Sequence, residues 1–499
     1  MAEKKLKDRS LFENFQLRGR WGLEEDELNI IGTLNFSQNK IELDLVGTLE
    51  DVEQSLISAF TSNTSSNYPT IYGIAESGER ITLLNCYKIN TKSRFNGISV
   101  EKYEAENAIA GTEFINHDHK FKFITFSTND LGLWSEINRI NTDIVFTEDN
   151  EQIFSQTIDF KTIKQNLLEW PLDKFGTTLK ENYFINITGT EERNQVYNHK
   201  FLFQYEITKD QDMNSLEWFI EKINSLKSLL TLLIGAPLYF ESLNIYGEYD
   251  QKKINGEQYR KKFKVFHRQQ GDYKGTKLTR SKILLPLPEI EDFSKLITLW
   301  HEKEDDLKVL VDFINSDHYT SMYAENKFLN VVQTAEIFHR RFSGEKLLTK
   351  DERDKYVSER RKLLKILRKD FDEKFATLIE NRTSNPDTFS LKERIESLIS
   401  NLNPTTTRYI LGDQNEVDDF ISIIVKRRNY LTHLDEERYD EVVKNLENLP
   451  FETHQLKGIM LIYILKELGV PEEDSFKRLR SIYRYKSKAQ SSVFESPST

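Results

Sequence analysis

Residues Val417–His433 read VDDFISIIVKRRNYLTH, an apolar run with helical spacing that turns abruptly into two arginines, an asparagine and a histidine. On a wheel of about 100° per residue with Val417 at zero, Phe420, Ile421, Ile424 and Leu431 fall within about 60° of it. Arg428 lands inside that stripe at about +20°, whereas Arg427 lies at its edge near −80°. The wheel therefore predicts a core-facing Arg428 and a peripheral Arg427. A core-facing guanidinium cannot deprotonate, so it demands an acid, an anionic ligand or a second subunit. His433 would fall near 160° on a continuous helix, opposite Arg428. For the two to meet within one chain, the helix must end or bend at Tyr430–Thr432, with Thr432, Asp435 and Glu436 opening a new helix.

Outward from this stretch the C-terminal half has one grammar. FSKLITLWHEKEDDLKVLVDFINS from Phe293, ENKFLNVVQTAEIFHRRF from Glu325, DERDKYVSERRKLLKILRKDFDEKF from Asp351 and HQLKGIMLIYILKELG from His454 are long segments of helical period. With the segment at Val417 they predict an all-α bundle over residues 291–485. The last residues, 486–499, are Ser-rich and read as a disordered tail.

The N-terminal half is written differently. LNIIGTLNF and KIELDLVGTLE flank the polar SQNK, and TIYGIAESGERITLLNCYKI turns at Glu-Ser-Gly-Glu. Such hairpins, continued by FKFITFST and ENYFINITG, predict an antiparallel sandwich or barrel-like domain over residues 1–210. SLEWFIEKINSLKSLLTLLIG then carries a helical stripe ending at Gly235. It opens a mixed connecting region, 211–290, closed by the linker LLPLPEI. The expected fold class is α+β multidomain: a β-rich domain followed by a helical one.

A net charge of −11 over 499 residues excludes bulk electrostatic binding to duplex DNA and confines any nucleic-acid contact to local patches. The lone Cys86 excludes a disulfide framework and fits a reducing cytoplasm. MAEKKLKDRS lacks the apolar core of a signal peptide, and LLTLLIGAPLYF is too short and broken for a membrane span. No Gly-rich phosphate loop opens a helix. HEKED at His301 lacks the second zinc-ligating histidine and reads as a solvated helix face; His117 and His119 have no third ligand nearby.

Arg-to-His spacings recur at Arg260 and His267 and at Arg193 and His199, the latter in a polar RNQVYNH that reads as a hairpin loop. Only the segment at Arg428 follows a packed helix. There histidine offers proton transfer near neutral pH, arginine a planar fork for phosphate oxygens, and asparagine orientation, a set suited to phosphodiester chemistry on RNA. A helix end whose arginine pairs with an acid and whose histidine is a surface residue fits the same pattern. FKRLRSIYRYKSK adds Arg478, Arg480 and Arg484 with Tyr483 and Tyr485, which read either as a basic solvated helix fading into the tail or as the cations and rings that single-stranded RNA binding uses.

The Arg-Asn-x3-His element of RRNYLTH in a helical bundle resembles the Apea-like branch of the HEPN ribonucleases. NKFLNVVQTAEIFHRRF resembles that branch's first motif-bearing helix, with Glu336 in the acidic position. The N-terminal half, notably GTLNFSQNKIELDLVGTL and IYGIAESGERITLLNC, is similar to the β-rich domain of ApeA-type anti-phage defence proteins. The resemblance implies an endoribonuclease of an abortive-infection system, independent of metal and cofactor, with a composite site in a homodimer or higher homo-oligomer. It implies roles for Arg428 in phosphate binding, Asn429 as polar helper, His433 in acid–base catalysis and Glu336 as orienting acid. Arg427, Arg478, Arg480 and Arg484 would contact the RNA, which the family suggests is transfer RNA. A phage-derived trigger would act on the N-terminal domain. A binding or assembly protein that uses the bundle as an interaction module is the alternative.

Overall fold

The computed structural model describes residues 4–49, 67–92, 97–137, 141–146, 153–159, 167–190, 193–209, 212–254, 256–344, 348–384, 389–434 and 440–483. The chain forms two compact units, Met1–Glu302 with His318–Thr320, and Lys303–Asp317 with Ser321–Thr499.

The first unit is built on an antiparallel sheet of thirteen strands among the described residues. β1 (Phe15–Gly22), β2 (Ile30–Ser37), β3 (Lys40–Val46), β4 (Asn67–Ala75), β5 (Arg80–Lys92) and β6 (Val100–Glu104) pair in the order β5-β4-β1-β2-β3-β6, and β6 returns to β5 to close a barrel. Full closure leaves these strands no open edge. The buried Trp21 fills the interior between two glycines: a Cβ on Gly73 would come within 2.2 Å of the indole, and one on Gly32 within 2.9 Å. The glycine of the first Gly-Thr-Leu is therefore a clearance for Leu45 and the Asp44 carbonyl as well as for Trp21.

β5 is long enough to serve two ladders. Asn85 takes a left-handed φ of 56°; before it β5 pairs with β7 (Asn107–Gly111), and after it with β6. Through β7 the sheet leaves the barrel and continues as β15 (Glu257–His267), β14 (Phe240–Ile254), β8 (Phe123–Thr128), β13 (Arg193–Ile207), β12 (Thr177–Thr190) and β11 (Glu169–Leu172). β9 (Asn141–Phe146) and β10 (Ile153–Asp159) form a separate hairpin.

Two expectations change here. β14 and β15 sit inside the sheet, so the described part of 211–290, expected as a connecting region, falls within the first unit. RNQVYNH is the start of β13, not a loop, with Arg193 already opposite Thr190. The stripe after Ser215 does form a helix, capped by the Ser215 hydroxyl, which accepts from the Trp218 N–H, and by a left-handed Gly235. A short helix α1 (Leu131–Ser135) precedes this one, α2 (Leu216–Ile234).

FSKLITLWHEKEDDLKVLVDFINS divides at Lys303 into α3 (Phe293–Glu302) of the first unit and α4 (Glu304–Tyr319), which starts the second. His301 is buried against Phe175 and Tyr205, 5.3 and 6.2 Å between ring centres, and is no solvated face. The second unit continues with α5 (Ala324–Phe342), α6 (Lys350–Asp370), α7 (Glu373–Arg382), α8 (Leu391–Ser400), α9 (Pro404–Ile410), α10 (Gln414–His433), α11 (Glu441–Lys444), α12 (Leu449–Glu467) and α13 (Glu472–Ile482). Every residue from Gly458 to Leu465 of α12 is buried. A helix apolar all round belongs at the centre of a bundle, and α5, α9 and α13 pack on it. No helix among the described residues is long and apolar enough to cross a membrane.

Candidate active site

Three helices of the second unit meet beside that central helix. α5 buries Phe328, Val331, Val332, Ala335 and Phe338; α8 buries Ile395, Leu398 and Ile399; α10 buries Val417, Phe420, Ile421 and Ile424. Their apolar faces fix their polar edges in register. Glu336, off the α5 stripe, is thereby brought to Arg428 of α10, with Nη2 3.2 Å from Oε1. The side chains are 33 % and 19 % exposed, so the pair is reachable from solvent. Arg428 Nη1 also donates to Asn429 Oδ1 at 3.1 Å. The acid carried by resemblance alone is thus the contact partner of the arginine found from the helical run.

The wheel misassigned the two arginines. Arg427, not Arg428, takes the core slot, at 2 % exposure. Its guanidinium donates to Glu452 of α12 and, through Nη2, to the carbonyls of Val442 at 3.2 Å and Asn445 at 2.8 Å. The acid and carbonyls come from α11, the turn after it and the start of α12, chain that a local wheel cannot see. Arg427 is therefore an internal tie and, contrary to expectation, is not placed to contact RNA.

The expected bend is also absent. α10 begins with a capping box between Asp413 and Glu416 and runs unbroken to His433, ending at Leu434 with a left-handed φ of 49°. Arg428 and His433 thus lie on one helix about 140° apart, and one chain does not bring them together. His433 is exposed, and its side chain makes no hydrogen bond or ion pair among the described residues. The new helix expected at Thr432, Asp435 and Glu436 does not start at Thr432, whose hydroxyl donates back to the Arg428 carbonyl at 2.7 Å; residues 435 and 436 lie outside the described residues.

Of the C-terminal basic residues, Arg480 is exposed with its guanidinium 5.6 Å from the centre of the Tyr409 ring, and Arg478 is half-buried on the same α13. Tyr483 packs edge-on to His454 at 4.5 Å, which takes its ring away from base stacking. Arg484, Tyr485 and the Ser-rich tail lie outside the described residues. His117 Nε2 lies 2.8 Å from the Pro69 carbonyl, and His119 Nδ1 lies 2.9 Å from Asn116 Oδ1, so the two are held by separate partners. Among the described residues no three His, Cys, Asp or Glu side chains group as a metal site.

A six-stranded barrel with a long sheet extension, followed by a helical bundle in which Glu336, Arg428 and Asn429 meet where three helices pack, defines a two-part protein. Residues 16–300 match the family model ApeA N-terminal domain 1, and residues 329–474 match Apea-like HEPN. The chain belongs to the ApeA family, as an ApeA-type HEPN protein. No curated protein and no solved structure matches it. The first match ends near the division at Glu302, and the second contains Glu336, Arg428, Asn429 and His433. Membership points to a HEPN nuclease of anti-phage defence.

Proposed function

We propose that the protein is a metal-independent endoribonuclease of an abortive-infection system, acting on cellular RNA, with transfer RNA as the family-level substrate. The observation that carries this reading is the solvent-reachable Glu336–Arg428–Asn429 group inside an Apea-like HEPN domain. Arg428 holds the scissile phosphate, Asn429 orients it, and Glu336 keeps the guanidinium aimed when no RNA is bound. The 2′-hydroxyl attacks phosphorus and the bond to the 5′-oxygen breaks, leaving a 2′,3′-cyclic phosphate and a 5′-hydroxyl. One His433 takes the 2′-hydroxyl proton and a second supplies the proton to the leaving oxygen. Because α10 is continuous, the histidine that serves a given Arg428 comes from a second copy across a twofold interface. The barrel-bearing unit restrains this cleft until a phage-derived trigger binds it, and the setting is the cytoplasm.

The test is RNA cleavage by the purified, activated full chain beside His433→Ala. A loss of about 10²-fold or more is expected, with a cyclic phosphate on the upstream fragment and no dependence on chelator. An equal mixture of the two chains retains about a quarter of the activity if one cleft needs both histidines, and about a half if each chain works alone. Equal cleavage by His433→Ala would instead make the Arg428–Glu336 pair a contact within an assembly module.

A further inference from the structure

Glu336 faces more positive charge than Arg428 alone. Arg394, in the first turns of α8, feels Glu336 as an attractive charge and Arg340 as a repelling one. Arg340 follows Glu336 by four residues on α5 and so shares its side of the helix. Arg341 is spent elsewhere, donating to the carbonyls of Asp305 at 3.3 Å and Asp306 at 2.7 Å. Glu393, the other acid near Arg394, accepts from the Ser390 N–H at 2.7 Å in the cap of α8. Arg340, Arg394 and Arg428 are thus three guanidiniums set against two carboxylates, Glu336 and Glu393, on a chain whose net charge is −11. Such a local excess calls for an anion.

Arg394 is also held in place. Its Nη1 lies 3.2 Å from Nδ1 of His339, a residue 2 % exposed and one helical turn beyond Glu336. An arginine can only donate, so Nδ1 accepts and His339 carries its proton on Nε2. Phe389 packs on both partners, 4.8 Å from the imidazole and 5.9 Å from the guanidinium. A surface arginine free to move would need none of this.

We propose that Arg394 forms a second phosphate subsite beside Arg428, taking a backbone phosphate next to the scissile one in single-stranded RNA, with buried His339 as its positioning residue. The identity of the ligand rests on the nuclease reading. The subsite itself is tested by binding, which needs no cleavage.

The experiment measures anisotropy of a labelled single-stranded RNA oligonucleotide bound to full-length His433→Ala protein over a range of salt concentrations. Adding Arg394→Ala is expected to weaken binding and to flatten the log–log salt slope by about 0.7, the value of one phosphate contact on a single strand. Arg394→Lys keeps the charge and most of the slope. His339→Phe weakens binding when Arg394 is present and changes nothing once Arg394 is alanine; a purely structural His339 would act equally in both backgrounds. If Arg428→Ala flattens the slope and Arg394→Ala does not, the subsite is overturned and the nuclease stands. If Arg394→Ala flattens the slope while the unmutated protein cleaves no RNA, the subsite stands and the nuclease falls.

Discussion

Arg427 and Arg428 are neighbours on α10, yet the side of the helix facing α11 and α12 and the side facing α5 and α8 treat a guanidinium in opposite ways. The first buries it with an acid and two carbonyls; the second leaves it partly in water beside one acid and one amide. The buried pair is the costlier arrangement. Burial raises the Glu452 carboxyl above its usual 4.5 even though Arg427 pulls it down, so desolvation outweighs the attraction. A carboxyl raised in this way favours folding most below about pH 4.5, and that contribution is lost as the pH climbs through its folded value. The pair locks one arrangement of α10, α11 and α12, whereas the open pair keeps contact with water.

The largest effect should come from breaking the closed side. Arg427→Ala leaves Glu452 buried and alone, and is expected to cost about 3–5 kcal/mol in urea unfolding of the full chain. Replacing both partners, Arg427→Met with Glu452→Leu, should recover most of that, because neither charge then has to be desolvated. If the single change costs no more than Arg428→Ala, the two sides of the helix are not different in kind.

A buried cation in the first unit sharpens the same contrast. Lys264 of β15 is 5 % exposed and lies opposite Asn244. Burial, and then the charges of Lys200 and Lys262, push its pKa down to about 7. The nearby acids are engaged: Glu241 holds Lys200 at 2.8 Å and Glu13 holds Lys4. The unfolded chain protonates this lysine near pH 10, before the folded one does, so stability falls as the pH drops from about 10 to 7 and levels off below. Lys264→Met keeps the apolar stem and loses the charge. It should stabilise the chain at pH 7 by on the order of 2 kcal/mol and remove that slope in thermal unfolding followed against pH.

The same distinction between local and distant partners sets what the sequence makes legible. The strands of the barrel, the stripes of α2, α5 and α10, and the Arg-Asn-x3-His element all lie within short windows whose period of two or 3.6 is visible without a structure. Arg427 reads wrongly from its own window because its burial depends on Val442, Asn445 and Glu452, fifteen to twenty-five residues on. β14 and β15 look like a connection in sequence because their charged outer halves mask strands that pair, at the other end, with β8 and β7. His339 and Arg394 carry no joint signal in sequence because they come together only when α5 packs on α8. The nearest signal was the cluster His339-Arg340-Arg341 one turn beyond Glu336, which marks a charged helix end and no partner.

The smallest stability change belongs to the open side, where it separates fold from function. Glu336→Gln keeps the shape of the side chain and removes its charge. With Arg428 one-third exposed, solvent screening should hold the loss of stability below about 1 kcal/mol. Cleavage should fall about tenfold, because the guanidinium loses the acid that aims it, and RNA binding should rise, since one negative charge leaves a surface shared with Arg340, Arg394 and Arg428. A variant that binds RNA more tightly and cuts it more slowly cannot be explained by unfolding. If both binding and cleavage are unchanged, Glu336 is an ordinary ion-pair partner, and the open side of α10 differs from the closed one only in how much water reaches it.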